Sequence, residues 1–93
     1  MEPIINKQEN IDGYLVKVKP NAEYSGDAFL NYIDSNEFLF TEEPIRHSGL
    51  FDLERANLYI QTYNQLYPQD KLEFELIKVN YSSTETFKII EES

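Results

Sequence analysis

One stretch of this chain repeats with the period of a helix, and the stretches on either side of it alternate with the period of a strand. From Leu53 onward, Leu53, Ala56, Ile60, Tyr63 and Tyr67 step by three and four residues. Tyr59 and Leu66 widen that stripe, and Glu54, Gln61, Thr62 and Gln65 fill the far side. Asp52 is a suitable N-cap, and its charge suits the positive end of the helix dipole. Pro68 turns Tyr67 out of the helical region, so the spacing predicts a helix over Leu53 to Leu66. A lone amphipathic helix must bury its stripe against something flat, which here means a sheet.

The flanking segments supply that sheet. Tyr14, Val16 and Val18 fall on one face of a strand, with Leu15, Lys17 and Lys19 on the other, and Pro20 ends it. Glu37 to Thr41 is a second strand, with Phe38 and Phe40 on one face and Glu42-Glu43-Pro44 closing it. Lys71 to Val79 is the strongest, with Leu72, Phe74 and Leu76 alternating with Glu73 and Glu75. Two segments read two ways. Residues 28–33 fit a strand ending at the Asp34-Ser35-Asn36 turn, which is the expectation, or a short helix capped by Ser25 or Asp27. Thr84 to Ile90 fits a further short strand or a tail.

The expected fold is α+β: a small, mainly antiparallel sheet of four to five strands with one amphipathic helix packed on one face. Residues 1–12 read as a polar N-terminal arm, which Ile4, Ile5 and Ile11 can tack onto the body. Residues 13–93 form a single domain. Such a sheet leaves a second face carrying Lys17, Lys19, Glu73 and Glu75 together with Leu15, Ile77 and Val79. That mixture calls for partial cover by a tail, a second subunit or a partner. If the two strands are neighbours, Lys–Glu pairs across them add roughly 0.2–1 kcal/mol each.

Charge bounds the function. Seventeen Asp and Glu face eight Lys and Arg, a formal net charge of −9 in 93 residues. Such a surface repels nucleic acid and anionic membrane and attracts basic protein surfaces. It also keeps a small protein soluble, which is the plainer reading of the same number. The absence of cysteine excludes disulfides, thiolate nucleophiles and Cys-ligated zinc, and fits a reducing cytoplasm. Met1 to Asp12 lacks a basic region followed by an apolar one, so no signal peptide is expected. The longest apolar runs are a few residues, so no membrane span is expected either.

The run Asn36-Glu37-Phe38-Leu39-Phe40-Thr41-Glu42-Glu43-Pro44, then Phe51-Asp52-Leu53-Glu54-Arg55-Ala56, then Lys71 to Val79, resembles small uncharacterised acidic phage and prophage proteins of β-β-α-β order. In these a strand ending in Phe-Thr, an acidic turn and a helix with an early Ala are followed by a strand. Tyr14 to Val18 fits the same pattern, and residues 19–35 fall outside it. The resemblance implies a mobile-element origin and leaves the chemistry open.

Few residues invite catalysis. His47, the only histidine, adjoins Ser48 in the polar run Arg46-His47-Ser48-Gly49. Adjacent residues seldom face each other for proton transfer, so a solvent-exposed loop histidine is expected. Asp34, Glu37, Glu42 and Glu43 offer carboxylates to a cation, but without the regular spacing and glycine bend of a calcium loop. The three glycines are isolated, so no phosphate loop forms.

Two features point to a protein interface. Leu58 lies on the polar side of the helix, roughly opposite Ile60. Acids also cluster from Asp34 to Asp52 beside Phe and Tyr, a composition that suits an Arg- and Lys-rich groove. The expectation is a small acidic protein-binding module without cofactor, metal or catalytic activity. Its partner residues would be Asp34, Glu37, Glu42, Glu43, Glu73, Glu75 and Leu58. The sharper form is a phage-encoded, DNA-mimicking (anti-CRISPR-like) inhibitor of a host nucleic-acid-processing defence enzyme, working in the cytoplasm. The alternative is a structural or regulatory homodimer of a mobile element.

Overall fold

The computed structural model describes residues 10–21, 26–82 and 86–92. Its elements are β1 (Asn10–Val18), β2 (Phe29–Asp34), β3 (Glu37–Thr41), a one-turn helix α1 (Arg46–Gly49), α2 (Leu53–Leu66), a 3-10 turn at Pro68–Asp70, β4 (Phe74–Ser82) and β5 (Thr86–Glu92). The five strands form one antiparallel sheet in the order β3-β2-β1-β4-β5. The fold is therefore α+β with one main helix, as the two periodicities require.

The helix has the expected bounds. Asp52 caps it, its carboxylate accepting from the Arg55 amide at 2.7 Å, and it stops at Tyr67, whose N–H still donates to the Tyr63 carbonyl. Ala56 and Tyr63 are buried against Val16, Val18, Leu30 and Phe51. The core on this face is largely aromatic. Tyr32 stacks on Tyr59 at 4.3 Å between centroids, and Phe38 and Phe40 set their edges to Tyr63. These offset and edge-on arrangements suit ring quadrupoles. Leu53 and Leu66, assigned to the buried stripe, are exposed instead. They flank a strip of contact already filled by the larger tyrosines.

Several boundaries differ from the sequence reading. The segment that read two ways is a strand, β2, which starts at Phe29 and takes in Asp34, expected in the turn. β1 starts at Asn10, so Asn10 to Asp12 belong to the sheet and not to the arm; residues 1–9 lie outside the described residues. β4 starts at Phe74 and runs on to Ser82, and it pairs with β1 from Val18↔Phe74 to Asn10↔Ser82. The long mate explains the early start: each residue added to β4 gives β1 another backbone partner. The end predicted to be strand or tail is strand β5, although residues 83–85 lie outside the described residues.

The run from Arg46 to Gly49, expected to be loop, is α1, and it explains the second face. β1 and β2 are in register at Lys17 and Phe29, with Val18 N–H donating to the Ala28 carbonyl. Further along β1 its edge is taken by Phe51, which exchanges both backbone hydrogen bonds with Tyr14 at 2.7 and 3.0 Å. Asn31 of β2 is fully buried beside this segment. Its amide nitrogen reaches the Phe29 and Leu39 carbonyls and Thr41 Oγ1, and its oxygen accepts from Ser48 Oγ at 2.9 Å. Leu50 then packs with Phe29 and Phe87 over Leu15, Ile77 and Val79. Cover for this apolar patch thus comes from the chain's own β3–α2 connection.

Candidate protein-binding surfaces

The strand ends decide where the carboxylates go. Thr41, Phe29, Lys17 and Glu75 stand in one row across β3, β2, β1 and β4. At about 4.8 Å between strands, that row spans roughly 14 Å. Glu42 follows Thr41 and Glu73 precedes Phe74, so both project from this end of the sheet, and both are exposed. Asp27 joins them from the start of β2, a residue the sequence reading offered only as a helix cap.

Lys17 is the cation in this row. Its ammonium lies 3.2 Å from Asp27 and 3.9 Å from Glu75. The expected Lys–Glu pairing between β1 and β4 is therefore present at Lys17 and Glu75. Lys19 and Glu73 meet through the backbone, the Lys19 N–H donating to the Glu73 carbonyl. Glu75 is half-buried and has a cation beside it, so it is the least available of the six carboxylates.

Asp34 and Glu37 lie elsewhere. They face each other at the tip of the β2–β3 hairpin, where Ser35 and Asn36 take the left-handed conformation. That tip is five residues along β2 from Phe29, roughly 17 Å at strand rise. Glu43 has a third setting. It lines an open groove of about 380 Å³ with Ile45, Arg46, His47, Tyr81 and Phe87. The structure brings Glu42, Glu73 and Glu75 to one end and leaves Asp34 and Glu37 at another. Leu58 is on neither: it is exposed on α2, with Glu54, Gln61 and Thr62 as its helical neighbours.

The groove has its own chemistry. Arg46 lays its guanidinium over the Tyr81 ring at 5.5 Å, a cation–π contact joining α1 to β4. His47 is exposed beside it. Ser48, next to it in sequence, donates its hydroxyl proton to Asn31 and ties α1 to β2. Among the described residues no group of three or more His, Asp or Glu side chains is placed to hold a metal ion. No helix there is long and apolar enough to cross a membrane.

Apolar exposure is the feature that sequence reasoning missed. Ile33 and Leu39 on the β2–β3 hairpin, Ile45 before α1, and Ile89 and Ile90 on β5 are all exposed. Strand alternation alone carried that signal for Leu39, which falls opposite Phe38 and Phe40. The β5 pair depended on β5 being a terminal strand. Comparison with family models, with curated proteins and with solved structures finds no match to this chain, so its function is to be read from its own charge and geometry.

Proposed function

We propose that this is a small acidic protein-binding module that engages a partner through that partner's basic surface and has no catalytic role of its own. The observation that supports the reading best is the placement of exposed Glu42 and Glu73 at one end of the sheet, in a chain of net charge −9. Carboxylates carried on the ends of hydrogen-bonded strands are held at fixed spacing. They can stand in for phosphates at little ordering cost. The partner class that fits is a nucleic-acid-processing enzyme with a basic channel. In the sharper form the protein is a phage-encoded inhibitor acting in the host cytoplasm.

The test is capture from host lysate at low salt and again at about 0.5 M salt, where the Debye length shrinks to a few Å. The expected result is a nucleic-acid-processing enzyme captured at low salt, released at high salt, and inhibited in solution. Reversal of Glu42 and Glu73 together should abolish that inhibition. Intact inhibition by the reversed protein would overturn the reading. A second reading, a structural or regulatory homodimer whose acidity serves solubility, is favoured by the exposed isoleucines of β5.

A further inference from the structure

The sheet has a gap beside β1, at the opposite end from Glu42 and Glu73. In an antiparallel ladder the backbone groups of successive residues point to alternate sides. Tyr14 exchanges its N–H and carbonyl with Phe51, and Val18 donates to Ala28, both on the side away from β4. Lys19 donates to Glu73, on the β4 side. By the same alternation Asp12 and Asn10 turn their N–H and carbonyl away from β4. β2 pairs with β1 at Lys17↔Phe29 and nowhere further toward Asn10, and the bridge at Phe51 stops at Tyr14. No described strand pairs with β1 on this side from Asn10 to Gly13. Asn10 to Tyr14 spans roughly 13 Å, room for about three residues of an extended chain.

A pocket of about 270 Å³ opens at this gap. Ile11, Leu50 and Phe51 line it with apolar surface, and Arg46 and Arg55 line it with positive charge. These are the only two arginines in a sequence of net charge −9, and the fold brings both to one place. The two carboxylates of the pocket are engaged within the fold. Asp12 accepts from Asn80 Nδ2 at 2.8 Å, and Asp52 accepts from the Arg55 amide at 2.7 Å. Guanidinium forks are the side chains that best take a carboxylate or a phosphate. A phosphate dianion would also face Asp12 and Asp52, so a single carboxylate is the better complement.

We infer that this gap binds the free C-terminus of a partner polypeptide, added to the sheet as a short strand beside β1. Arg55 stands by Asp52, one residue past Phe51, so the terminal carboxylate points toward the Phe51 end. The added strand therefore runs parallel to β1. Its last residue donates its N–H to the Asp12 carbonyl, and Asp12 N–H donates to the carbonyl two residues earlier. The carboxylate sits between Arg46 and Arg55, and an apolar last side chain rests on Ile11 and Leu50. Main-chain bonds supply affinity, and the arginines restrict binding to a chain end. An internal segment or an amidated end lacks the charge they require. This site is separate from the strand-end carboxylates and does not depend on them.

The test is a titration of the isotope-labelled full chain, followed by two-dimensional amide NMR. The probe is an equimolar pool of acetylated tripeptides ending in leucine, valine and phenylalanine, used as free acids and again as C-terminal amides. Acetate at the same concentrations is the control for a bare anion. The free acids are expected to shift the Asp12 and Arg55 amides saturably, and the amidated pool to bind on the order of tenfold more weakly. Arg55→Gln should weaken the free acids to a similar degree. Arg55 is exposed, and the dispersion of the spectrum verifies that the variant is folded. Free acids that leave the Asp12 amide unmoved, acids and amides that bind alike, or a folded Arg55→Gln that binds as tightly as the wild type would each overturn the inference. Acetate reproducing the Asp12 shift would overturn it too, by reducing the site to an anion site without a strand.

Discussion

Gly49 backs directly onto the carboxamide of Asn31: a Cβ built on it would stand 2.7 Å from Asn31 Oδ1. Gly49 closes α1, the single turn laid against β2, and Asn31 is the fully buried polar residue beneath it. Asn31 cannot yield, because its amide and its oxygen are both hydrogen-bonded. Gly→Ala at a compatible site stabilises by about 0.4–1 kcal/mol through the unfolded chain. Here overpacking costs about 1–3 kcal/mol and outweighs that gain. Gly49→Ala is therefore expected to lower the urea midpoint while leaving the m-value unchanged.

Asn31 and Ser48 are expected to be coupled. Asn31→Ala leaves the Ser48 hydroxyl and the Leu39 carbonyl without this partner in a partly buried setting, at a cost of about 1–3 kcal/mol. Ser48→Ala removes one hydrogen bond and costs about 0.5–1.5 kcal/mol. If the hydroxyl ties α1 to the sheet, the double variant should lose less than the sum. Urea unfolding of all four proteins in the cycle measures the difference. Strict additivity would mean that the 2.9 Å contact contributes nothing.

These residues show where the sequence stops being informative. The helix from Leu53 to Leu66 was legible because periodicity, an N-cap and a following proline all agree. So was Glu37 to Thr41, bounded by turn residues at both ends. α1 was not, since Arg46-His47-Ser48-Gly49 has no apolar period and is helical because Gly49 and Ser48 fit against Asn31. Alternation placed Leu15, Ile77 and Val79 on the second face, and it left Leu50, which covers them, without a role. The carboxylates were legible as residues, but their grouping was not. Asp34 and Glu42 are close in sequence, yet β3 carries them to opposite ends of the hairpin. Glu42 and Glu73, far apart in sequence, come to one end through strand order.

Tyr63 holds the helix C-terminus to the turn that follows. Its ring meets Phe38, Phe40, Tyr67 and Phe74, and its hydroxyl donates to Asp70 at 2.7 Å. Tyr63→Phe keeps the ring and loses a hydrogen bond to a carboxylate, at a cost of about 1 kcal/mol given the exposure of Asp70. Tyr63→Ala removes a buried ring from that cluster and costs about 3–5 kcal/mol. Thermal unfolding should place the two variants far apart. Similar losses would mean that the ring contacts add little beyond the hydrogen bond.

The two groups of carboxylates separate the proposed docking site from mere acidity. Replacing both Glu42 and Glu73 by Lys changes the net charge by +4, and so does replacing both Asp34 and Glu37. If total charge alone draws a basic partner, the two double variants should slow association equally. If the strand-end group is the contact, Glu42→Lys with Glu73→Lys should lower the association rate on the order of tenfold more. It should also flatten the salt dependence, because close charges govern the final docking as well as the approach. Stopped-flow association with the captured enzyme, at two salt concentrations, reads both quantities. Equal rates for the two variants would leave the chain acidic for solubility and move the contact to its exposed apolar side chains.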